Sequence, residues 1–191
     1  MSSLYAAHLA TLKQRCDAAL AKAGYDHLVI AAGVEKMQFL DDRPYPFKVN
    51  PQFKAWAPLL QHPHSWIAYT PGAKPVLVYH QPDDYWHVPP APPDGFWVEH
   101  FDIRSIDEPQ QAVAHLPKGR VAVIAEADAA LDGVMPNQPQ ALLDFLHYHR
   151  GFKTGYELDR MRRAQRRAVK GHRAAEAAFR SGASELEIHR A

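Results

Sequence analysis

The most informative stretch of this chain reads Phe39-Leu-Asp-Asp-Arg-Pro-Tyr-Pro-Phe-Lys-Val-Asn-Pro-Gln-Phe-Lys-Ala-Trp56. It contains three prolines, five aromatic residues and an acidic pair in eighteen positions, without helical or strand periodicity. Each proline lacks a backbone N–H and keeps its predecessor extended, so the stretch cannot form a regular hydrogen-bond ladder. We expect the aromatic side chains to fix it as a long ordered loop that meets something else. A disordered linker is the alternative, but linkers are poor in aromatic residues.

The composition is that of an ordinary globular protein. A chain of 191 residues with 47% hydrophobic content can form one full domain, or one domain and a piece of another. The N-terminus lacks the basic start and the apolar h-region that are typical of a signal peptide, and no apolar run approaches the roughly 18 residues of a membrane span, so no membrane partner is expected. The single cysteine, Cys16, excludes an internal disulfide and fits a reducing cytoplasm. Lysine and arginine total 22 against 21 acidic residues, so the net charge does not indicate a polyanionic partner.

Helical and strand patterns alternate through the first three quarters of the chain. Leucines and Cys16 recur at helical spacing before Gly24, which predicts a helix over residues 4–23 with a buried, inert thiol. A second irregular loop with five prolines is predicted at 81–93. Strands are predicted at 28–32, 65–69, 76–80, 98–103 and 120–125, and two more helices at 109–116 and 138–148. The segments 65–69 and 76–80 are predicted to form a hairpin, which would add an antiparallel pair to the sheet. The expected fold class is therefore α/β with a mixed sheet flanked by helices.

The pattern changes from Gly155 onward. Residues at steps of three and four predict one long helix with a narrow buried stripe, ending at 181–182. The stripe consists of Leu158, Met161, Gln165, Ala168, His172, Ala175 and Phe179. Ser184 and Glu187 then form a capping-box pattern four residues before the end of the sequence. Either a further helix has been cut short, or this is a frayed terminal turn.

The same helix is strongly basic. Seven basic residues and no acidic one fall between Arg160 and Arg173. One hypothesis is therefore a stand-alone module that binds nucleic acid through helix 155–181. The basic positions wrap around the helix outside the stripe and lack interleaved aromatic residues, which favours a solvated surface or an acidic neighbour and no nucleic-acid partner.

No strong catalytic or cofactor motif is present in the sequence: no phosphate-binding glycine loop, nucleophile elbow, paired cysteines or zinc-protease helix. Of the twelve histidines, His62 and His64 flank a proline and could share one face. No cysteine or carboxylate near them in the sequence completes a metal site, so solvated histidines are the preferred interpretation. We predict that this chain holds no metal and no cofactor by itself, and that it carries no catalytic residue.

Several segments together resemble the N-terminal part of the bacterial Xaa-Pro dipeptidases (prolidases), a group that includes the closely similar organophosphorus acid anhydrolases. The resemblance covers essentially all 191 residues in order. The segments that carry it are 39–42, 45–56, 84–87, 145–150, 153–157 and 171–176.

The resemblance implies an N-terminal creatinase/prolidase-like α/β domain over residues 1–154. Residues 155–191 would then be a linker and the first helices of a truncated catalytic domain of the pita-bread fold. In this family two divalent metal ions, typically manganese, are held by five Asp, His and Glu ligands, which would all lie beyond this sequence. The parent enzyme is expected to hydrolyse Xaa-Pro dipeptides, with organophosphates as a further substrate class, and the chain alone is expected to be inactive.

The resemblance also gives two positions a role in substrate binding. The family is dimeric, and the residue matching Trp86 reaches into the active site of the opposite subunit, while the residue matching Asp42 lies near the end of the substrate. A tryptophan can form an apolar wall against a proline ring, and a carboxylate can hold a free ammonium group. The alternatives are a structural loop anchor for Trp86 and an N-cap or turn role for Asp42.

Overall fold

The computed structural model describes residues 2–85, 88–126 and 130–190. The chain divides into two compact units, Met1–Phe152 and Lys153–Ala191. The first unit contains a mixed sheet flanked by helices, which confirms the predicted α/β class.

The sheet of the first unit has five strands in the order β4-β3-β2-β1-β5. Their bounds are β1 His27–Ala31, β2 Trp66–Tyr69, β3 Val76–His80, β4 Asp102–Ile106 and β5 Val121–Ile124. Strand β2 is antiparallel to β1 and β3, whereas β5 is parallel to β1 and β4 is parallel to β3. Strands β1, β3, β4 and β5 therefore all finish at the same end of the sheet, which we call the carboxyl end.

Helices and short turns cover both faces of the sheet. The helices of the first unit are α1 Ser2–Ala23, α2 Pro51–Trp56 and α3 Gln140–Arg150, with 3-10 helices at Val98–His100 and Pro109–His115. On one face, Tyr69 of β2 donates a hydrogen bond to Asp17 of α1 (2.6 Å), and its ring centroid lies 5.2 Å from that of Trp56 in α2. On the other face, Ala112 and Leu131 belong to the buried cluster that packs on the strands. Strands β1, β2, β3 and β5 are nearly continuous apolar runs because both of their faces are buried. Strand β4, at one edge of the sheet, differs because Arg104 and Ser105 are exposed.

Helix α1 is as predicted. It ends at Gly24, whose φ of 76° allows its N–H and that of Tyr25 to bond the carbonyl of Leu20 at 2.9 and 3.1 Å. The predicted burial of Cys16 is also confirmed, since only 3% of the residue is exposed. Burial raises the pKa of its thiol to about 12, so the thiol stays protonated and unreactive at neutral pH.

Two local predictions were wrong. The strand predicted at 98–103 is a 3-10 helix followed by β4, which begins only at Asp102. Trp97 and Phe101 are both buried, whereas Glu99 between them is exposed. In a strand all three side chains would lie on one face, so this pattern fits a helical turn. The stretch 39–56 was expected to lack regular structure, yet its last third is α2. Asn50 caps that helix and Pro51 occupies its first turn, where the missing proline N–H costs nothing.

The second unit consists of α4 Gly155–Arg180 and α5 Glu185–Arg190. A capping box between Thr154 and Glu157, which the sequence reasoning overlooked, starts α4. The predicted box between Ser184 and Glu187 is present at the start of α5. The expected burial of the α4 stripe is wrong, because none of the residues of α4, all of which are described, is buried and Phe179 is 71% exposed. The three-to-four periodicity indicates an apolar face but cannot say what covers it.

No helix in the described ranges combines the length and the apolar character that a membrane span requires.

Asn50 is the residue whose removal should loosen the junction between β1 and α2. It is 4% exposed, its N–H bonds the Ala32 carbonyl at 2.8 Å, and its Oδ1 accepts from the Gln52 N–H at 2.9 Å. Asn50→Ala should lower the free energy of unfolding by about 1–2 kcal/mol, because the cap is lost and the Gln52 N–H is left unpaired. Urea denaturation measures this. Asn50→Ser keeps an oxygen acceptor and should lose less than half as much; equal losses would contradict the capping role.

Candidate functional site

The two proline-aromatic loops leave the sheet at its carboxyl end. Residues 32–50 follow β1 and residues 81–97 follow β3, and these strands are parallel. Ligands of α/β sheets are typically bound beyond the carboxyl ends of the strands, where the connecting loops gather. The topology thus makes the loop of Asp42 and the loop that follows β3 leave the same end of the sheet.

The first loop has a fixed base and an exposed apolar tip. At its base, the Asn50 N–H bonds Ala32, and Phe53 is fully buried in α2. Towards the tip, Gln38 and Arg43 pair through a backbone hydrogen bond of 3.0 Å, which narrows the loop into a hairpin-like turn. At the turn, Phe39 and Leu40 are 89% and 91% exposed. The expectation that aromatic side chains fix this stretch therefore holds for its second half only.

The turn role that is the alternative for Asp42 belongs to its neighbour Asp41. The Asp41 Oδ1 accepts a hydrogen bond from the Arg43 backbone N–H at 3.1 Å, which stabilises the turn. Asp42 is exposed, and no described residue forms a hydrogen bond or an ion pair with its side chain. Within the described residues, its carboxylate is therefore not used by the fold.

Trp86, the other residue singled out from the sequence, lies outside the described residues. The described flanks of its loop return to β3, where the Tyr79 hydroxyl donates to the Ala91 carbonyl at 2.8 Å. Gln81 Nε2 donates to the Pro90 carbonyl at 2.7 Å. Tyr85 and Val88, on either side of residues 86–87, are 91% and 93% exposed. This loop therefore also presents large side chains to its surroundings from a hydrogen-bonded base.

A cluster of polar side chains that the sequence did not predict lies at the same end of the sheet. The Nδ1 of His64 is 2.7 Å from Asp132 Oδ1, and Trp66 Nε1 donates to the other carboxylate oxygen at 3.0 Å. The Asp132 side chain is only 4% exposed. Both His64 and Asp132 have positive φ, 60° and 52°, a conformation that non-glycine residues adopt only when their surroundings stabilise it.

The prediction of solvated histidines is therefore wrong for this cluster. His62 is half-buried with its Nε2 2.8 Å from the Tyr79 hydroxyl, and His80 is 8% exposed. Burial, followed by repulsion from His80, lowers the pKa of His62; burial, followed by repulsion from His64, lowers that of His80. Both rings are thus neutral at pH 7. Sequence reasoning missed Asp132 because it lies 68 residues from His64, and no local pattern links the two.

This cluster is not arranged as a metal site. Across residues 2–85, 88–126 and 130–190, no group of three His, Cys, Asp or Glu side chains is positioned to hold a metal ion. The His64 Nδ1 is engaged by Asp132, and His80 Nδ1 lies 3.2 Å from the Pro63 carbonyl. The dinuclear metal chemistry that the resemblance implies therefore has no ligand set in the described part of this chain.

Comparisons with known proteins agree with the resemblance. The family model described as "Xaa-Pro dipeptidase, N-terminal domain" matches residues 3–148. The Xaa-Pro dipeptidase of Xanthomonas campestris pv. campestris (strain B100) is 56% identical over 193 residues, which cover 100% of this chain and 44% of that protein. That of Stenotrophomonas maltophilia (strain K279a) is 53% identical, covering 99% of this chain and 43% of that protein.

A solved structure of Pseudomonas aeruginosa aminopeptidase PepP matches 79% of this chain and 33% of its own chain, with 19% identity and a TM-score of 0.45. The present chain spans less than half the length of the curated relatives described above. On the strength of the match over residues 3–148, this chain belongs to the family of Xaa-Pro dipeptidase N-terminal domains.

Proposed function

We propose that this chain is the amino-terminal part of an Xaa-Pro dipeptidase, an enzyme that hydrolyses dipeptides with a C-terminal proline. The observation that carries the proposal is the 56% identity to a protein of that name over the whole of this chain. Two divalent metal ions, manganese in this proposal, would be held by residues of the catalytic part of the enzyme. The chain of 191 residues has no hydrolytic activity without that part.

We further propose that residues 1–154 are the N-terminal domain and that 155–191 open the catalytic domain of the pita-bread fold. The division of the chain at Phe152 and Lys153 supports this, as does the capping box at Thr154 that starts a new helix. The exposed apolar stripe of α4 is then the surface that the rest of the catalytic domain covers. The buried free thiol of Cys16 is compatible with a cytoplasmic enzyme.

In this proposal the enzyme is a homodimer, and its N-terminal domain completes the active site of the partner subunit. Asp42 holds the ammonium group of the dipeptide, and Trp86 packs against the proline ring. The unused carboxylate of Asp42 supports this assignment, and so does the shared position of both loops at the carboxyl end of the sheet. No observation favours nucleic-acid binding by helix 155–181; within α4, Arg163 pairs with Asp159 and Arg180 pairs with Glu176.

A chimera tests the proposed function. Residues 1–191 of this chain replace the matching residues of the Xanthomonas campestris enzyme, so that its own catalytic part supplies the metal ligands. With manganese, the chimera should hydrolyse Ala-Pro at a rate comparable to that of the Xanthomonas enzyme, whereas the 191-residue chain should show no turnover. A phosphotriester assayed alongside shows whether organophosphates are also substrates. A folded, metal-loaded chimera without dipeptidase activity would refute the proposal.

The role of Asp42 is tested by a neighbouring pair of substitutions in this chimera. Asp42→Asn should lower kcat/KM for Ala-Pro about 10- to 100-fold, because a hydrogen bond to a charged group contributes about 1.5–3 kcal/mol. Asp41→Asn keeps an oxygen acceptor for the Arg43 N–H and should change kcat/KM little. With N-acetyl-Ala-Pro, which lacks the ammonium group, wild type and Asp42→Asn should be equally slow. A similar loss on both substrates would exclude an ammonium contact.

The contribution of Trp86 across the dimer is tested by mixing subunits. A chimera with Trp86→Ala should be impaired, and a chimera with a substituted metal ligand should be inactive. Refolding the two together should restore roughly a quarter of the wild-type activity, since random pairing makes half of the dimers mixed and each mixed dimer has one complete site. If Trp86 acts within its own subunit, the mixture will show no more activity than the two preparations assayed separately.

A further inference from the structure

The loop that follows β3 is tied back to the strand from which it starts. The Tyr79 hydroxyl donates to the Ala91 carbonyl at 2.8 Å, and Gln81 Nε2 donates to the Pro90 carbonyl at 2.7 Å. Gln81 is itself held in place, because its backbone N–H bonds the Ile106 carbonyl at 2.8 Å at the end of β4. We call the two side-chain hydrogen bonds from Tyr79 and Gln81 the loop anchor.

The loop needs such an anchor because its backbone cannot supply one. Five prolines fall between residues 81 and 93, and each removes a backbone N–H. The described residues of the loop, 82–85 and 88–93, form no helix and no strand. Prolines 89, 90 and 92 restrict φ in residues 88–93, the second half of the loop. Two hydrogen bonds to the carbonyls of residues 90 and 91 can therefore fix the direction of this segment.

Burial and a contact with His62 fix the Tyr79 hydroxyl as a hydrogen-bond donor to Ala91. Tyr79 is 2% exposed, and its hydroxyl is also 2.8 Å from His62 Nε2. The Tyr79 hydroxyl has one hydrogen, which it donates to the Ala91 carbonyl. It must therefore accept a hydrogen bond from the Nε2–H of His62. In the neutral His62 ring the buried Nδ1 then carries no proton. Burial raises the pKa of Tyr79 and lowers that of His62, so both groups are neutral and keep these donor and acceptor roles.

We propose that Tyr79 and Gln81 are positioning residues for the dipeptidase reaction, because the loop anchor fixes the loop that presents its side chains to the substrate of the partner subunit. This inference rests on the proposed function, in which Trp86 of the same loop contacts the substrate. Neither anchoring residue touches the substrate. Both act by reducing the conformational freedom that the loop would otherwise lose on substrate binding.

Tyr69 offers a matched control for Tyr79. It is also a tyrosine of the sheet with 2% exposure, but its hydroxyl bonds Asp17 of α1, away from the loop. Tyr79→Phe and Tyr69→Phe each remove one buried hydroxyl, and they should lower stability to a similar extent. Any loss of stability alone will therefore appear in both variants, whereas a positioning effect will appear only in Tyr79→Phe.

The first measurement uses the 191-residue chain itself. The heteronuclear ¹⁵N NOE of the amides of Val88 and Ala91 should fall in Tyr79→Phe and in Gln81→Ala, and should be unchanged in Tyr69→Phe. Gln81 is only half-buried, so its substitution provides a second variant that does not disturb the core. Unchanged NOE values in both anchor variants would overturn the inference.

The second measurement uses the active chimera. Tyr79→Phe should raise KM for Ala-Pro about 3- to 10-fold with little change in kcat, because the ordering cost falls on binding. Tyr69→Phe should leave KM unchanged, and the effect of Tyr79→Phe should disappear in a Trp86→Ala background, since the loop then has no contact to position. A KM unaffected by Tyr79→Phe, or raised equally by Tyr69→Phe, would overturn the inference while the chimera remains a dipeptidase. An inactive wild-type chimera would instead overturn the proposed function, and this inference with it.

Discussion

The direction of the strands is the constraint on which the rest of the first unit depends. Because β1, β3, β4 and β5 all run the same way, the segments that follow them emerge at one end of the sheet. Strand β2 runs in the opposite direction, so it is the segment before it, with His62 and His64, that arrives at this end. Loops that are far apart in the sequence therefore lie together at the carboxyl end of the sheet, where ligands of α/β sheets usually bind.

Loops rich in proline lack the backbone N–H groups for a regular hydrogen-bond ladder. Hydrogen bonds from buried side chains fix the positions of these loops instead. Asp132 accepts hydrogen bonds from His64 and Trp66, and Tyr79 bonds the returning segment of its loop. Each such bond adds only about 0.5–1.5 kcal/mol net, but a buried group left without its partner costs about 1–3 kcal/mol. The polar cluster therefore specifies where the loops lie more than it stabilises the fold, and it accounts for histidines that would otherwise suggest a metal site.

Both loops lie within residues 3–148, which match the model of the Xaa-Pro dipeptidase N-terminal domain. The described residues contain no metal-binding group, and in the proposed function Asp42 and the exposed large side chains at the loop tips act in recognition. In the proposed function, the N-terminal domain shapes a pocket whose reactive groups belong to the catalytic part of the enzyme. Function on an α/β fold lies in such local sites and not in the architecture that carries them.

The sequence by itself determined the α/β class, the course of α1 and α4, four of the five strands and the family, because periodicity, capping residues and proline-aromatic motifs are local properties. Tertiary structure decided what those patterns could not reach. Asp132 and His64 are 68 residues apart in the sequence, yet they form a hydrogen bond in the folded chain. The side chain that bonds the turn is that of Asp41 and not that of Asp42. Residues 98–100, predicted as part of a strand, form a 3-10 helix between two buried aromatic rings. The physical reason is that a hydrogen bond or a packed ring depends on which strands are neighbours, and that is fixed only when the whole sheet assembles.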